Sequence, residues 1–274
     1  MDESTNPNPI EPGQPVMKFE ITGKGKTVAL VPGGLTGWLS WQPHAELLGR
    51  KYQVMRTQLI AVDLGLSNAP LPDGYSVRYE STALANAMLQ GGIDQADFVA
   101  WSYGAEITLD FALNNPDRVR TLTLIEPPAI WVLRSHGPLS PELIADQGKL
   151  AHLGPGDISE DQLAWYTHFT GLVPAEVVPQ TLPQWPIWTQ HRQSLRIQDL
   201  VFRHEDDIQR VREFHKPVFL IKGKGSAPFL HQIVDILGKE FPLAQIQMLA
   251  GGHSPHIAEM SSFMEMLDWS WMSS

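Results

Sequence analysis

Residues 97–105 read Asp97-Phe98-Val99-Ala100-Trp101-Ser102-Tyr103-Gly104-Ala105. An apolar run leads into Ser102. A helical pattern leads out of it, with Ile107, Phe111 and Ala112 on one side and Pro116 as its stop. A sharp strand-to-helix turn forces its central serine into strained backbone geometry and leaves the hydroxyl exposed. Strand and helix crowd together there, so small residues are needed two positions before and two after. Ala100 and Gly104 meet that need, and Ala105 keeps the contact close. Ala100 stands where the Gly-x-Ser-x-Gly pattern has its first glycine, and low bulk is what the position requires. An ordinary strand end with a capping serine is the plainer alternative.

Working outward, the same alternation recurs. Val16 to Ile21 is a first candidate strand. Thr27 to Pro32 is a short apolar run closed by Gly33-Gly34, which suits a buried parallel strand. Tyr52 to Thr57 is the next strand, and a loop rich in Asp, Gly and Pro runs on to about Gly74. Tyr79 to Gln90 carries Leu84, Ala87 and Met88 on one helical face. Val119 to Ile125, Pro217 to Ile221 and Ala244 to Leu249 read as strands. Phe229 to Leu237 and Met260 to Trp271 read as helices. This alternation predicts an α/β fold: a mainly parallel central sheet with helices on both faces. Residues 129–215 break the rhythm with prolines, helix-like segments, and Trp131, Trp165, Trp185 and Trp188. They read as an inserted helical cap between core segments 16–128 and 216–274. Residues 1–15, polar and proline-rich, read as a flexible tail.

With its strand–Ser–helix turn and this element order, the chain resembles the α/β-hydrolase family after the tail, apart from the cap. The resemblance implies Ser102 as nucleophile. His253, in Gly251-Gly252-His253-Ser254-Pro255-His256 just after the last strand, stands where the family carries its catalytic base. A serine hydroxyl is a poor nucleophile until a base takes its proton, and an imidazole near its ordinary pKa suits that task. His256 is the rival, better read as lining or packing beside the site. Pro32-Gly33-Gly34-Leu35 resembles the family's oxyanion loop, with Pro32 in place of its histidine. Backbone N–H groups of Gly34 or Leu35, with that of Tyr103, are expected to hold the oxyanion. A simple tight turn is the alternative. The family's usual acid follows the penultimate strand, where this chain has Gly223-Lys224-Gly225-Ser226. Ser226 cannot ionise. Glu126, ending the strand after the nucleophile helix, is the best substitute, since some relatives take their acid from that strand. A salt-bridge or helix-entry role is its alternative. Neither Asp199 nor Asp235 is comparably placed.

Composition narrows the function. The 274 residues are 43% hydrophobic and 18% charged, enough apolar material for a sizeable core. A formal net charge of −10 argues against nucleic acid as a partner. With no cysteine, disulfides, Cys-ligated metal and thiol nucleophiles are excluded. No signal-peptide pattern and no run long enough for a membrane helix is seen, so a soluble, cytoplasmic protein is expected. Gly25-Lys26-Thr27 mimics a P-loop end, but its strand follows the motif instead of preceding it. Gly34 and Gly37 lack the rest of a dinucleotide fingerprint. No cofactor or metal is expected. Trp38, Trp101, Trp131, Trp185 and Trp188 are candidate substrate-binding residues, although packing is the commoner fate of tryptophan. The expected function is hydrolysis of a carboxylic ester, thioester or lactone on a small-molecule acyl substrate. The alternatives are a small-molecule binding protein with a vestigial triad, and a cofactor-free lyase or oxygenase using the same site. The oligomeric state is not legible.

Overall fold

The computed structural model describes residues 13–154 and 157–272. Seven strands form one sheet: Lys18–Thr22 (β1), Thr27–Val31 (β2), Gln53–Gln58 (β3), Ala96–Trp101 (β4), Val119–Ile125 (β5), Val218–Gly223 (β6) and Ala244–Leu249 (β7). Their order across the sheet is β1-β3-β2-β4-β5-β6-β7. β1 runs antiparallel to β3, and the remaining pairs are parallel.

The central strands are mostly apolar because both faces of the sheet are covered. All six residues of β4 are buried. Successive side chains point to opposite faces. Ala96, Phe98 and Ala100 therefore join one core cluster, and Val99 and Trp101 join the other. On the first face, helices Val77–Gln90, Tyr103–Asn114 and Pro228–Glu240 insert Leu84, Met88, Phe111, Ile233 and Leu237. On the second, helices Gln42–Leu48 and Met260–Met272 supply Ala45, Leu48, Phe263 and Leu267. Helix Gln42–Leu48 has no counterpart in the sequence reading.

One expectation is corrected. The stretch from β3 to Gly74, read as loop, contains the helix Ile60–Leu66. Its N-terminus is capped from afar. The buried Glu80 carboxylate accepts the N–H groups of Ile60 (3.2 Å) and Ala61 (2.9 Å). Free N–H groups at a helix start need such partners, and a partner some twenty residues away leaves no local signature. Most of the expected tail, residues 1–12, lies outside the described residues.

Between β5 and β6 the chain holds helices Ile130–Arg134, Pro141–Ala151, Glu160–Phe169, Trp185–His191, Gln198–Arg203 and Ile208–Arg212, and no strand among the described residues. Arg134 ties the first of these to the end of another, donating to the carbonyl oxygens of Phe202 (2.9 Å) and His204 (2.7 Å). No helix among the described residues is long and apolar enough to cross a membrane.

Candidate active site

Ser102 follows β4 directly and starts the helix Tyr103–Asn114. Its backbone lies at φ 54°, ψ −126°. Among the described residues, only Asn68, Ser102 and Glu126 are non-glycine residues with positive φ. Such backbone costs on the order of 1–3 kcal/mol, so the surrounding fold must hold it in place. The crowding inferred from sequence is present. A Cβ added to Gly104 would lie 2.1 Å from the carbonyl oxygen of Pro32, so the helix can cross the end of β2 only with glycine there. One added to Gly34 would lie 3.4 Å from Cβ of Tyr103, so the glycine loop after β2 lies against the turn. The leading N–H groups of helix Tyr103–Asn114 have no partner within the helix.

Three distant stretches meet at this turn. His253 Nε2 lies 2.7 Å from Ser102 Oγ, and its Nδ1 lies 2.7 Å from Glu126 Oε2. The three side chains are almost wholly buried, Ser102 being 7% exposed. Glu126 Oε1 accepts the Gly223 N–H at 2.7 Å and a hydrogen bond from Ser226 Oγ. Ser226, at the position where an acid was sought, thus donates to the carboxylate that comes from β5. Both oxygens of Glu126 are occupied, and one of them faces the imidazole.

The His253 backbone is fixed from two sides. Its N–H donates to Gly171 O at 3.0 Å, and its carbonyl accepts Trp101 Nε1 at 2.6 Å. A Cβ on Gly252 would lie 1.9 Å from Gly171 O, so this close backbone approach requires glycine.

A small cavity of about 30 Å³ opens at Ser102 and His253. Its other walls include Ile130, Leu150, Tyr166, Phe169, Gln198, Val201, Phe202, Phe229 and Leu230. None of the five tryptophans expected to bind substrate lines it, and each has another place. Trp101, last in β4, points to the opposite face of the sheet and braces the His253 loop. Trp131 and Trp185 are buried in the core. Trp188 packs against that core, half-buried. Trp38 lies under the guanidinium of Arg56, 5.4 Å from the ring centroid. Tryptophan's large apolar area favours burial over lining so small a space. The aromatic walls are instead Tyr166, Phe169, Phe202 and Phe229, which no sequence signal singles out from core residues on amphipathic helices. Of the residues expected to hold an oxyanion, Leu35 and Tyr103 are buried beside Gly34 at the turn.

A buried polar chain reaches Tyr103. Its hydroxyl lies 3.1 Å from that of Tyr75, which donates to Glu80 Oε1 at 2.7 Å. Burial pushes the Glu80 carboxyl up to about 7. Elsewhere, Asp110, His204 and Asp206 each offer a ligand atom within 4.8 Å of the others. Arg78 already pairs with Asp110 and Arg210 with Asp206, so these carboxylates are neutralised without a cation.

His256 and His44 lie behind the His253 loop, among Trp41, Trp101 and Phe263. His44 Nε2 is 3.1 Å from His256 O, and both ring nitrogens of His256 lack a hydrogen-bond partner. Burial lowers the pKa of both imidazoles, that of His256 well below 6.5, and His44 and His253 further oppose its protonation. A depressed histidine stabilises the fold above its unfolded pKa, and that contribution is lost as pH falls below 6.5. Glu80 has the opposite sign, its contribution being lost as pH rises through about 7. His256→Leu is therefore read against wild type. The variant is expected to lose less melting temperature than wild type between pH 7 and pH 5, and parallel losses would contradict this.

Comparison with known proteins identifies the family. The profile of the alpha/beta hydrolase family matches residues 28–263. A 2-hydroxy-6-oxo-2,4-heptadienoate hydrolase of Pseudomonas putida is 31% identical over 106 residues, 38% of each chain. The chain matches 38% and 63% of the lengths of two curated relatives, less than two thirds of either. A hydrolase from Pseudomonas aeruginosa superposes with TM-score 0.74 at 17% identity, over 93% of this chain and 94% of the other. A thermophilic esterase from Thermogutta terrifontis gives TM-score 0.67 at 20% identity, over 92% of both chains. At those identities the two structures speak for the fold alone.

Proposed function

Since the chain belongs to the alpha/beta hydrolase family, we propose that it is a serine hydrolase that cleaves a carboxylic ester or a related acyl substrate, a thioester or lactone, through an acyl-enzyme on Ser102. The observation that carries this reading is a single imidazole within 2.7 Å of a serine hydroxyl on one nitrogen and 2.7 Å of a buried carboxylate on the other.

The roles follow from the chemistry of each group. Glu126 accepts a hydrogen bond from Nδ1–H of His253, which leaves Nε2 free to accept the Ser102 proton as Oγ attacks the carbonyl carbon. The positive charge formed on the imidazole is stabilised by the same carboxylate. Backbone N–H groups of Gly34 or Leu35, with that of Tyr103, hold the oxyanion. Collapse expels the leaving group, which takes its proton from Nε2. Water, deprotonated by His253, then releases the acyl group and restores Ser102. The reaction calls on no cofactor or metal. Residues 129–215 act as a helical cap over the core formed by residues 16–128 and 216–274. The relative named as a heptadienoate hydrolase is consistent with hydrolysis.

A series of chromogenic esters of increasing acyl length, offered to the full chain, tests this. Release above the uncatalysed background, falling off at long acyl chains as the small apolar cavity fills, is expected. No turnover of any ester, thioester or lactone would count against it and would favour a protein that only binds small molecules.

A further inference from the structure

Ser102 faces a space of about 30 Å³, room for a water or two and too little for an ester. Next to it lies a groove of about 660 Å³. Phe169 and Phe229 line both. Their rings stack with centroids 5.1 Å apart and planes 19° apart. Trp165 stacks on Phe169 in turn, at 5.2 Å and 16°. Phe169 ends helix Glu160–Phe169, from the segment between β5 and β6, and Phe229 lies in the first turn of helix Pro228–Glu240, after β6. The stack therefore joins the two parts of the fold across the site. Both phenylalanines are half-buried, so their rings can turn without emptying the core.

The stack stands on one particular side of Ser102. Thr170 and Gly171 follow Phe169 directly. Gly171 O accepts the His253 N–H at 3.0 Å, and Thr170 O accepts the Ala227 N–H at 3.3 Å, two residues before Phe229. The rings thus adjoin the imidazole that must protonate the leaving group. Ile130, Leu150 and Val201 leave the cavity itself apolar. The groove beyond is mixed in character, with Leu139, Leu143 and Ile236 beside Ser140, Glu142 and Lys239.

We infer that the Phe169–Phe229 stack is a partition that opens to admit the leaving-group half of the substrate into the outer groove. These two residues then set the substrate class: a short apolar acyl group against Ser102, joined to a larger alcohol or thiol that carries both apolar and hydrogen-bonding parts. The inference rests on the serine hydrolase reading above.

Two ester series on the full chain test it. One holds the acyl group at acetyl and varies the alcohol from methanol to glycerol and triethylene glycol. The other holds the alcohol and lengthens the acyl chain. Phe169→Ala and Phe229→Ala are expected to raise kcat/KM for the bulky alcohols over the methyl ester by roughly ten-fold, a larger shift than either makes in the acyl-length profile, since both rings also wall the acyl cavity. Phe169→Leu and Phe229→Leu keep most of the apolar volume and are expected to shift the ratio in the same direction by less. They carry the test alone if the Ala variants do not fold. Unchanged alcohol selectivity, or a larger shift in the acyl series, overturns the partition. If Ser102→Ala turns over both series like wild type, the parent reading has failed. If turnover depends on Ser102 and selectivity is fixed, only the partition has failed.

Discussion

Replacing Ser102 with Ala lowers ester turnover by roughly four to six orders of magnitude, with the fold intact. The substitution deletes the one atom that forms the bond to the acyl group. Backbone donors and substrate binding remain, so a small residual rate above background is expected. Stability changes little for two reasons. Alanine keeps the Cβ that strains the backbone at φ 54°, so that cost is the same in both proteins. The hydroxyl's contact with His253 is worth only about 0.5–1.5 kcal/mol net. Steady-state kinetics beside a thermal melt check both halves. Retained turnover in the variant would place the nucleophile elsewhere.

The second large effect concerns the carboxylate. Glu126→Gln is expected to cut kcat by roughly 10²–10⁴-fold. A glutamine amide can donate to Nδ1, which holds the imidazole in the tautomer whose Nε2 carries a proton and cannot accept one from Ser102. The amide also cannot stabilise the imidazolium. Ser226→Ala removes only one of the two donors to Glu126 Oε1 and leaves the Gly223 N–H at 2.7 Å. It is expected to cost about ten-fold or less. Kinetics of the two variants side by side check the order. If Ser226→Ala is the more damaging, the orienting role does not belong to Glu126.

Much of the fold is legible because its signals are local. β5 and β7 have the bounds expected from the sequence, and the turn at Ser102 is encoded within nine residues. Ser102, His253 and Glu126 can each be singled out separately, because each closes or follows a strand. What the sequence cannot supply is contact across the chain. Helix Ile60–Leu66 depends on Glu80 for its cap, and the hydrogen bond from Ser226 to Glu126 spans 100 positions. The cavity walls are illegible for a related reason. Tyr166, Phe169, Phe202 and Phe229 occupy helix positions that pattern like core, and only packing separates a wall from an interior. The tryptophans are ambiguous in the opposite direction. Their size suggests a ligand site, yet it is also what draws Trp131 and Trp185 into the interior.

One measurement bears most directly on the chemistry proposed for this chain: covalent labelling by a fluorophosphonate, followed by peptide mass mapping. A single adduct on Ser102 is predicted, forming far more slowly in His253→Ala because the hydroxyl then has no base. Folded protein that takes up no label, or takes it at another serine, would contradict the proposal.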